Sequence, residues 1–332
     1  MKQRLLPVFL TVCLLLSLFS CSPKEDNGKI TVLCTLFPQY DWLRNITEGS
    51  DTVDLKLIIA NGTDPHSYQP TAADIADISK CDMIVYVGGD SDTWVEKAIE
   101  RSKNSKIKSI ILSELDGITL QNISAGSHSH EGHSHEGHSH KEEHSEEHSH
   151  SVFDEHLYLS LNNAAVATKE LAQELCLLDK DNEELYRKNA EEYISKLQNL
   201  DLTLKEKTEN ASGEPFMLFA DRFPFVYLLA DYGIDYSAAF ESCTTDTNAD
   251  FDTVIRLIKE ADLHNVKYIA VTESSDGSLA KTVISSTKSK DQKIIVLNSL
   301  QSVNQAQIKN GITYISVMEE NINSILTATG IN

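Results

Sequence analysis

The sequence predicts an α/β protein of two β/α lobes, each around a central parallel sheet, joined by one long rigid helix. Three observations carry this expectation. Strand-like and helix-like segments alternate from Lys29 to Leu115, a helical pattern then runs from Leu161 to about Asn210, and the alternation resumes after Ala211. Strands that alternate with helices imply crossover connections, which make the strands parallel and put helices on both faces of the sheet.

In the first lobe, residues 29–182, KITVLCTLF (29–37) is a β-rich run that stops near Pro38, and QYDWLRNITEG (39–49) follows with amphipathic helical spacing. VDLKLIIANG, from Val53, reads as a strand entering a turn at Gly62, and PTAADIADISKC (70–81) has apolar residues at helical spacing. CDMIVYVGG (81–89) is a buried-type strand, TWVEKAIERS (93–102) a helix and KIKSIILSEL (106–115) a closing strand. The helical run breaks at Asp179 to Asn182. Its second part, residues 183–210, would reach roughly 40 Å at 1.5 Å per residue and is the expected linking helix.

The second lobe, residues 211–332, repeats the pattern. FMLFA (216–220), KYIAVTE (267–273) and KIIVLNS (293–299) read as strands, while FVYLLADYGI (225–234), FDTVIRLIKEADLH (251–264) and SLAKTVISSTK (278–288) read as helices. One final helix is expected over 305–329.

The N-terminus defines a compartment. Lys2 and Arg4 precede an apolar stretch after Pro7 that is shorter than the roughly 20 residues a membrane-crossing helix needs. It fits a secretory signal peptide over residues 1–20. Leu18-Phe19-Ser20-Cys21 resembles a bacterial lipobox, so Cys21 is expected to be lipidated and residues 21–28 to form a polar tether. The protein is then anchored to the extracytoplasmic face of the cell membrane without spanning it.

Net charge is −21, and removing the leader takes away two basic residues and no acid. Such a chain repels phosphates, which excludes non-specific binding of nucleic acid. With Cys13 in the leader and Cys21 acylated, Cys34, Cys81, Cys176 and Cys243 remain, with no CxxC pair. They read as scattered core cysteines rather than a thiolate metal site, with one disulfide left open.

Residues 127–150, SHSHEGHSHEGHSHKEEHSEEHSH, interrupt the α/β pattern with nothing apolar to bury. They are expected to form a disordered surface loop. Its histidines are His128, His130, His133, His135, His138, His140, His144, His148 and His150, which leaves only His66, His156 and His264 elsewhere. Exposed imidazoles are weak individual donors for zinc, copper or nickel, so the loop would gather metal at low affinity.

His66 lies in ANGTDPHSYQPTAADI, after a strand and a Gly-Thr-Asp-Pro turn. The C-terminal ends of parallel strands are where open α/β sheets place ligands. His156 lies in DEHLYLSLNNA, flanked by Asp154 and Glu155. His264, near a helix C-terminus where cations are favoured, reads as structural.

Together these segments resemble the metal-binding solute-binding lipoproteins of ABC importers for zinc and manganese. The matching stretches are ITVLCTLFPQYDWLRNITEG, GTDPHSYQPTAADI, DMIVYVGGDSDTWVEKAI, the His-rich loop, DEHLYLSLNNA and VTESSDGSLAKTV. The resemblance covers essentially the whole mature chain. It implies a metal site in the cleft between the lobes, with His66 and His156 as ligands and Tyr158 in place of the family's usual Trp.

For the second lobe the resemblance implies a His or Glu ligand in LFADRFPFVYLLADYGID. Ungapped counting puts Arg222 in that column, and an arginine cannot bind a cation. Asp221 is the alternative donor there, unless it pairs with Arg222. A further acid after a second-lobe strand is expected to be Glu273, with Asp276 as second choice. Zinc accepts two imidazoles with one or two carboxylates, and so does manganese. The His-rich loop favours zinc.

The implied function is a monomeric binding protein, without catalysis, that captures Zn2+ and delivers it to an ABC permease and its ATPase. Alternatives are manganese import, a zinc buffer, and a zinc-dependent hydrolase. The last would need a base beside an open metal site, and no HExxH signature lies outside the loop.

Overall fold

A computed structural model describes residues 28–122, 153–240 and 249–331. The leader, Cys21, the His-rich loop and Cys243 lie outside the described residues. Two four-stranded sheets, every pair parallel, form the scaffold, as expected.

The first sheet has the order β2-β1-β3-β4, from β1 (Ile30–Cys34), β2 (Val53–Leu57), β3 (Met83–Tyr86) and β4 (Lys108–Ile111). β3 reads MIVY and is buried throughout, the uninterrupted apolar run of a strand covered on both faces. Between the strands lie α1 (Phe37–Ile46), α2 (Ala72–Ile78) and α3 (Thr93–Arg101). The start of α2 is set by a capping box, in which Thr71 Oγ1 accepts from the N–H of Asp74 (3.2 Å) and the Asp74 carboxylate accepts from the N–H of Thr71 (2.6 Å).

α4 (Leu161–Leu178) and α5 (Glu183–Glu209) follow. The break between them is held by Asp179, which accepts from Tyr186 Oη (2.7 Å), Asn182 Nδ2 (2.9 Å) and Thr52 Oγ1. Burial pushes the Asp179 carboxyl up, but these donors outweigh it and hold it below the usual carboxylate range.

The second sheet has the order β6-β5-β7-β8, from β5 (Phe216–Phe219), β6 (Asp235–Ala238), β7 (Tyr268–Thr272) and β8 (Lys293–Leu297). Its helices are α6 (Val226–Ala230), α7 (Phe251–Leu263), α8 (Ser278–Ser286), α9 (Gln305–Lys309) and α10 (Tyr314–Thr329). Two expectations are corrected here. β6 was not anticipated, because DYSA is short and its first two residues are exposed, so it carries no apolar run. The single helix over 305–329 is two helices, separated where Gly311 takes a left-handed φ of +87°.

α10 crosses back to the first half. The N–H of Tyr314 donates to Asp41 Oδ2 (2.8 Å), and its hydroxyl donates to the carbonyl of Tyr158 (2.7 Å). Tyr193 on α5 also donates to Asp41 (3.4 Å), so one buried carboxylate ties α1, α5 and α10 together. One apolar cluster accordingly runs from Val32 and Trp42 through Leu197 to Phe219 and Ile325. Cys34, Cys81 and Cys176 are free and buried, consistent with core packing.

Candidate metal centre

His66, Ser91, Arg222, Glu273 and Gln301 all follow the C-terminal ends of strands, on β2, β3, β5, β7 and β8 respectively. This is the edge at which parallel sheets present ligands. His66 sits in a 3-10 turn, Pro65–Ser67, whose N-cap is Asp64; Asp64 Oδ1 accepts from the N–H of His66 at 3.0 Å. His156 immediately precedes the 3-10 turn Leu157–Leu159 and is almost fully buried.

The two imidazoles converge, with their Nε2 atoms 3.4 Å apart. Two nitrogens bound to one tetrahedral zinc at about 2.0–2.1 Å are themselves about 3.3–3.4 Å apart. The pair therefore already has the separation a tetrahedral ion requires.

Both outer nitrogens are engaged. Nδ1 of His156 lies 2.7 Å from Asp154 Oδ1, and a carboxylate only accepts, so the proton is on Nδ1. Burial acts to raise the Asp154 pKa, but the neighbouring imidazole of His156 outweighs it and holds the carboxyl below its usual range. Nδ1 of His66 lies 2.8 Å from Ser91 Oγ and 3.8 Å from Glu155 Oε2. Glu155 Oε1 in turn accepts from the N–H of Ser91 at 3.1 Å. A Cβ at Gly89 would come within 2.5 Å of that oxygen, so only glycine allows Glu155 to lie this close.

Asp92 lies behind this layer. Its Oδ2 accepts from the N–H groups of Val87 (2.7 Å) and Gly88 (3.2 Å). Burial pushes its carboxyl up to about 7 against the pull of the Val87 N–H, and the charge of Glu155 adds to the rise.

Of the second-lobe residues, Gln301 reaches the pair. Its Nε2 lies 2.6 Å from His156 Nε2 and 3.1 Å from His66 Nε2, and it lines the cleft with both histidines. An amide nitrogen only donates, which makes both Nε2 atoms acceptors and puts the His66 proton on Nδ1. Each imidazole thus presents one lone pair inward. That lone pair holds either the Gln301 amide or a cation, not both.

The three acids expected from the second lobe each accept hydrogen bonds from their own half of the molecule. Asp221 Oδ2 accepts from the N–H (2.9 Å) and Oγ1 (2.7 Å) of Thr272, and its Oδ1 accepts from the N–H of Arg222 (2.8 Å). Glu273 is spent on Ser299, taking its N–H and its hydroxyl at 2.8 Å each. Asp276 is exposed and caps the N–H of Ser278 at 2.8 Å. Among the described residues no group of three or more His, Cys, Asp or Glu side chains is placed to hold one ion. Arg222, in the column of the family's ligand, pairs with Asp64. His264 stacks on Phe216 with ring centroids 3.7 Å apart, and it pairs with Glu260.

Gln301 went unnoticed in the sequence because an amide in SLQS carries no charge signal. Its placement has a visible cause. Leu300 adopts a left-handed backbone, φ +62°, with its N–H on Asn298 Oδ1 at 2.8 Å. With Glu273 gripping Ser299, that turn aims Gln301 at the histidines. The strand end itself, at KIIVLNS, was the one available signal.

Comparison with known proteins places this geometry in context. A family model described as zinc-uptake complex component A, periplasmic (ZnuA), matches residues 32–328. The zinc-binding lipoprotein AdcA of Streptococcus pneumoniae (strain ATCC BAA-255 / R6) is 30% identical over 319 residues, covering 96% of this chain and 60% of that protein. The chain thus spans less than two thirds of that relative's length. The high-affinity zinc uptake system protein ZnuA of Bacillus subtilis (strain 168) is 30% identical over 304 residues, 92% of this chain and 89% of that protein. Among solved structures, Zn(II)-bound AdcA from Streptococcus pneumoniae matches with a TM-score of 0.70 at 28% identity, over 91% of this chain and 58% of that chain.

Proposed function

The chain belongs to the zinc-uptake complex component A family, and from that membership we propose that it captures Zn2+ outside the cytoplasm and passes it to an ABC-type importer. One observation carries the reading: the His66 and His156 rings converge with their Nε2 atoms 3.4 Å apart, while each Nδ1 is engaged behind them by Ser91 Oγ (2.8 Å) and Asp154 Oδ1 (2.7 Å). His66 and His156 are the ligands. The second lobe contributes Gln301, which leaves the lone pairs when the ion enters and turns its carboxamide oxygen toward it.

This donor set is electrically neutral. Zinc and its two positive charges are therefore held less tightly than in a shell that includes carboxylates, which suits a protein that must give its cargo up. Nitrogen-rich, tetrahedral spacing also favours zinc over manganese, which prefers oxygens. The leader and Cys21 support a lipid-anchored location, and the histidines of residues 128–150 would concentrate metal near the cleft. No reaction is assigned to the site; the transfer is one of binding and release.

Calorimetric titration of the metal-free protein should give one tight zinc site that both His66→Ala and His156→Ala abolish. An unchanged isotherm in either variant would sink the assignment. Zinc-limited growth that depends on both this protein and a permease would separate import from buffering, in which only the former matters.

A further inference from the structure

Apart from the Gln301 amide beside the His66 ring, the turn that carries His66 is gripped by the second half of the molecule at two points of different kind. One is backbone: Asn61 bridges Asn304, and the N–H of Gln305 donates to the carbonyl of Ala60 at 3.0 Å. The other is ionic: the guanidinium of Arg222 meets Asp64 Oδ2, while the other oxygen of that carboxylate holds the N–H of His66 at 3.0 Å. Both partners are about three-quarters buried, with side-chain exposures of 22% and 26%.

Arg222 is itself fixed. Its N–H donates to Asp221 Oδ1, and Asp221 is pinned through its other oxygen to Thr272 at the end of β7. A continuous chain therefore runs from Thr272 through Asp221, Arg222 and Asp64 to His66. It explains why Asp221 faces its own sheet: its work is to hold the arginine. A guanidinium does not lose its proton, so this anchor has a constant charge. It is also the anchor that salt can weaken, unlike the backbone bridge.

We propose that Arg222 is a positioning residue which, acting through Asp64, clasps the His66 turn to the second half and sets how fast the metal ion leaves. The backbone bridge is the fixed side of the cleft and the Arg222–Asp64 pair is the side that opens. The part that concerns metal release rests on the proposed zinc capture; the clasp itself does not.

The test uses the full-length protein with nitroxide labels on cysteines introduced at exposed Gln69 and Thr282, one on each half. In metal-free buffer the parent should give a narrow interlabel distance distribution. Arg222→Ala should lengthen and broaden it, and so should Asp64→Asn, which keeps a side-chain oxygen for the His66 cap. Arg222→Lys should stay narrow, and 1 M NaCl should broaden the parent and Arg222→Lys but leave the other two variants unchanged. Zinc chased from the loaded protein with a chelator should leave about fivefold faster in Arg222→Ala and Asp64→Asn, the factor such a pair is worth. That rate should rise with salt only in the parent and in Arg222→Lys. Distributions identical to the parent in both variants, at either salt concentration, overturn the clasp whatever zinc does. A broadened distribution with no zinc bound to the parent upholds the clasp and instead removes the capture reading.

Discussion

Asp154 Oδ1 accepts two hydrogen bonds from a single residue, the backbone N–H of His156 at 2.9 Å and its ring Nδ1 at 2.7 Å. One buried oxygen thereby sets both the turn and the tautomer of the histidine. A carboxylate behind a ligating imidazole also raises its basicity, and such partners are typically worth about 10- to 100-fold in metal affinity. Asp154→Ala should weaken zinc binding by that amount with the fold intact. Asp154→Asn should lose less, since its oxygen can still accept. Equal affinities for parent and Asp154→Ala in a competition titration would show that the hydrogen bond does not tune the site.

Gln301 offers a sharper contrast. Its amide nitrogen sits 2.6 Å from His156 Nε2, on the lone pair that zinc would take. Gln301→Glu cannot donate there when ionised, and it adds a negative charge opposite an incoming cation. Zinc affinity should rise about tenfold or more, or about 1.4 kcal/mol. Gln301→Leu should neither cap the lone pairs nor ligate, and should bind zinc more weakly than the parent. If the glutamate variant binds no better, Gln301 does not face the ion.

Much of this was legible beforehand, and the division has a physical cause. His66 and His156 stood out because histidine is rare outside the loop and each lies in a distinctive turn. The sheets followed from apolar runs such as MIVY, whereas the polar edge strand DYSA left no such trace. Asp221, Glu273 and Gln301 all follow parallel strands, so position alone could not rank them. What separates them in the structure is Thr272 and Ser299, which donate to the two acids, while the amide lines the cleft. Those partners are 51 and 26 residues away in sequence, beyond the reach of any local pattern.

Asp92 makes stability depend on pH. Burial lifts its carboxyl to about 7 in the folded chain, against roughly 3.9 when unfolded. Between those values the folded state keeps a proton that the unfolded state has released, so stability declines as pH rises through the window. Asp92→Asn has nothing to ionise and retains an oxygen for the Val87 and Gly88 N–H groups. In chelator-treated protein, its melting temperature relative to the parent should climb between pH 5 and pH 8 and level off beyond. A constant difference across that range would place the Asp92 pKa in the ordinary carboxylate range.

Leu300 sets two effects of opposite sign against each other. Its left-handed backbone costs a residue with a Cβ roughly 1–2 kcal/mol, which glycine would relieve. The side chain, however, is completely buried, and removing a buried leucine costs about 2–5 kcal/mol even when a methyl remains. Burial wins, so Leu300→Gly should lower the free energy of unfolding by about 2–3 kcal/mol in urea titrations. The turn would also lose what holds Asn298, Ser299 and Gln301 in register, and zinc affinity should fall with it. A Leu300→Gly protein more stable than its parent would mean that backbone strain outweighs packing here, and that the turn aiming Gln301 is under tension.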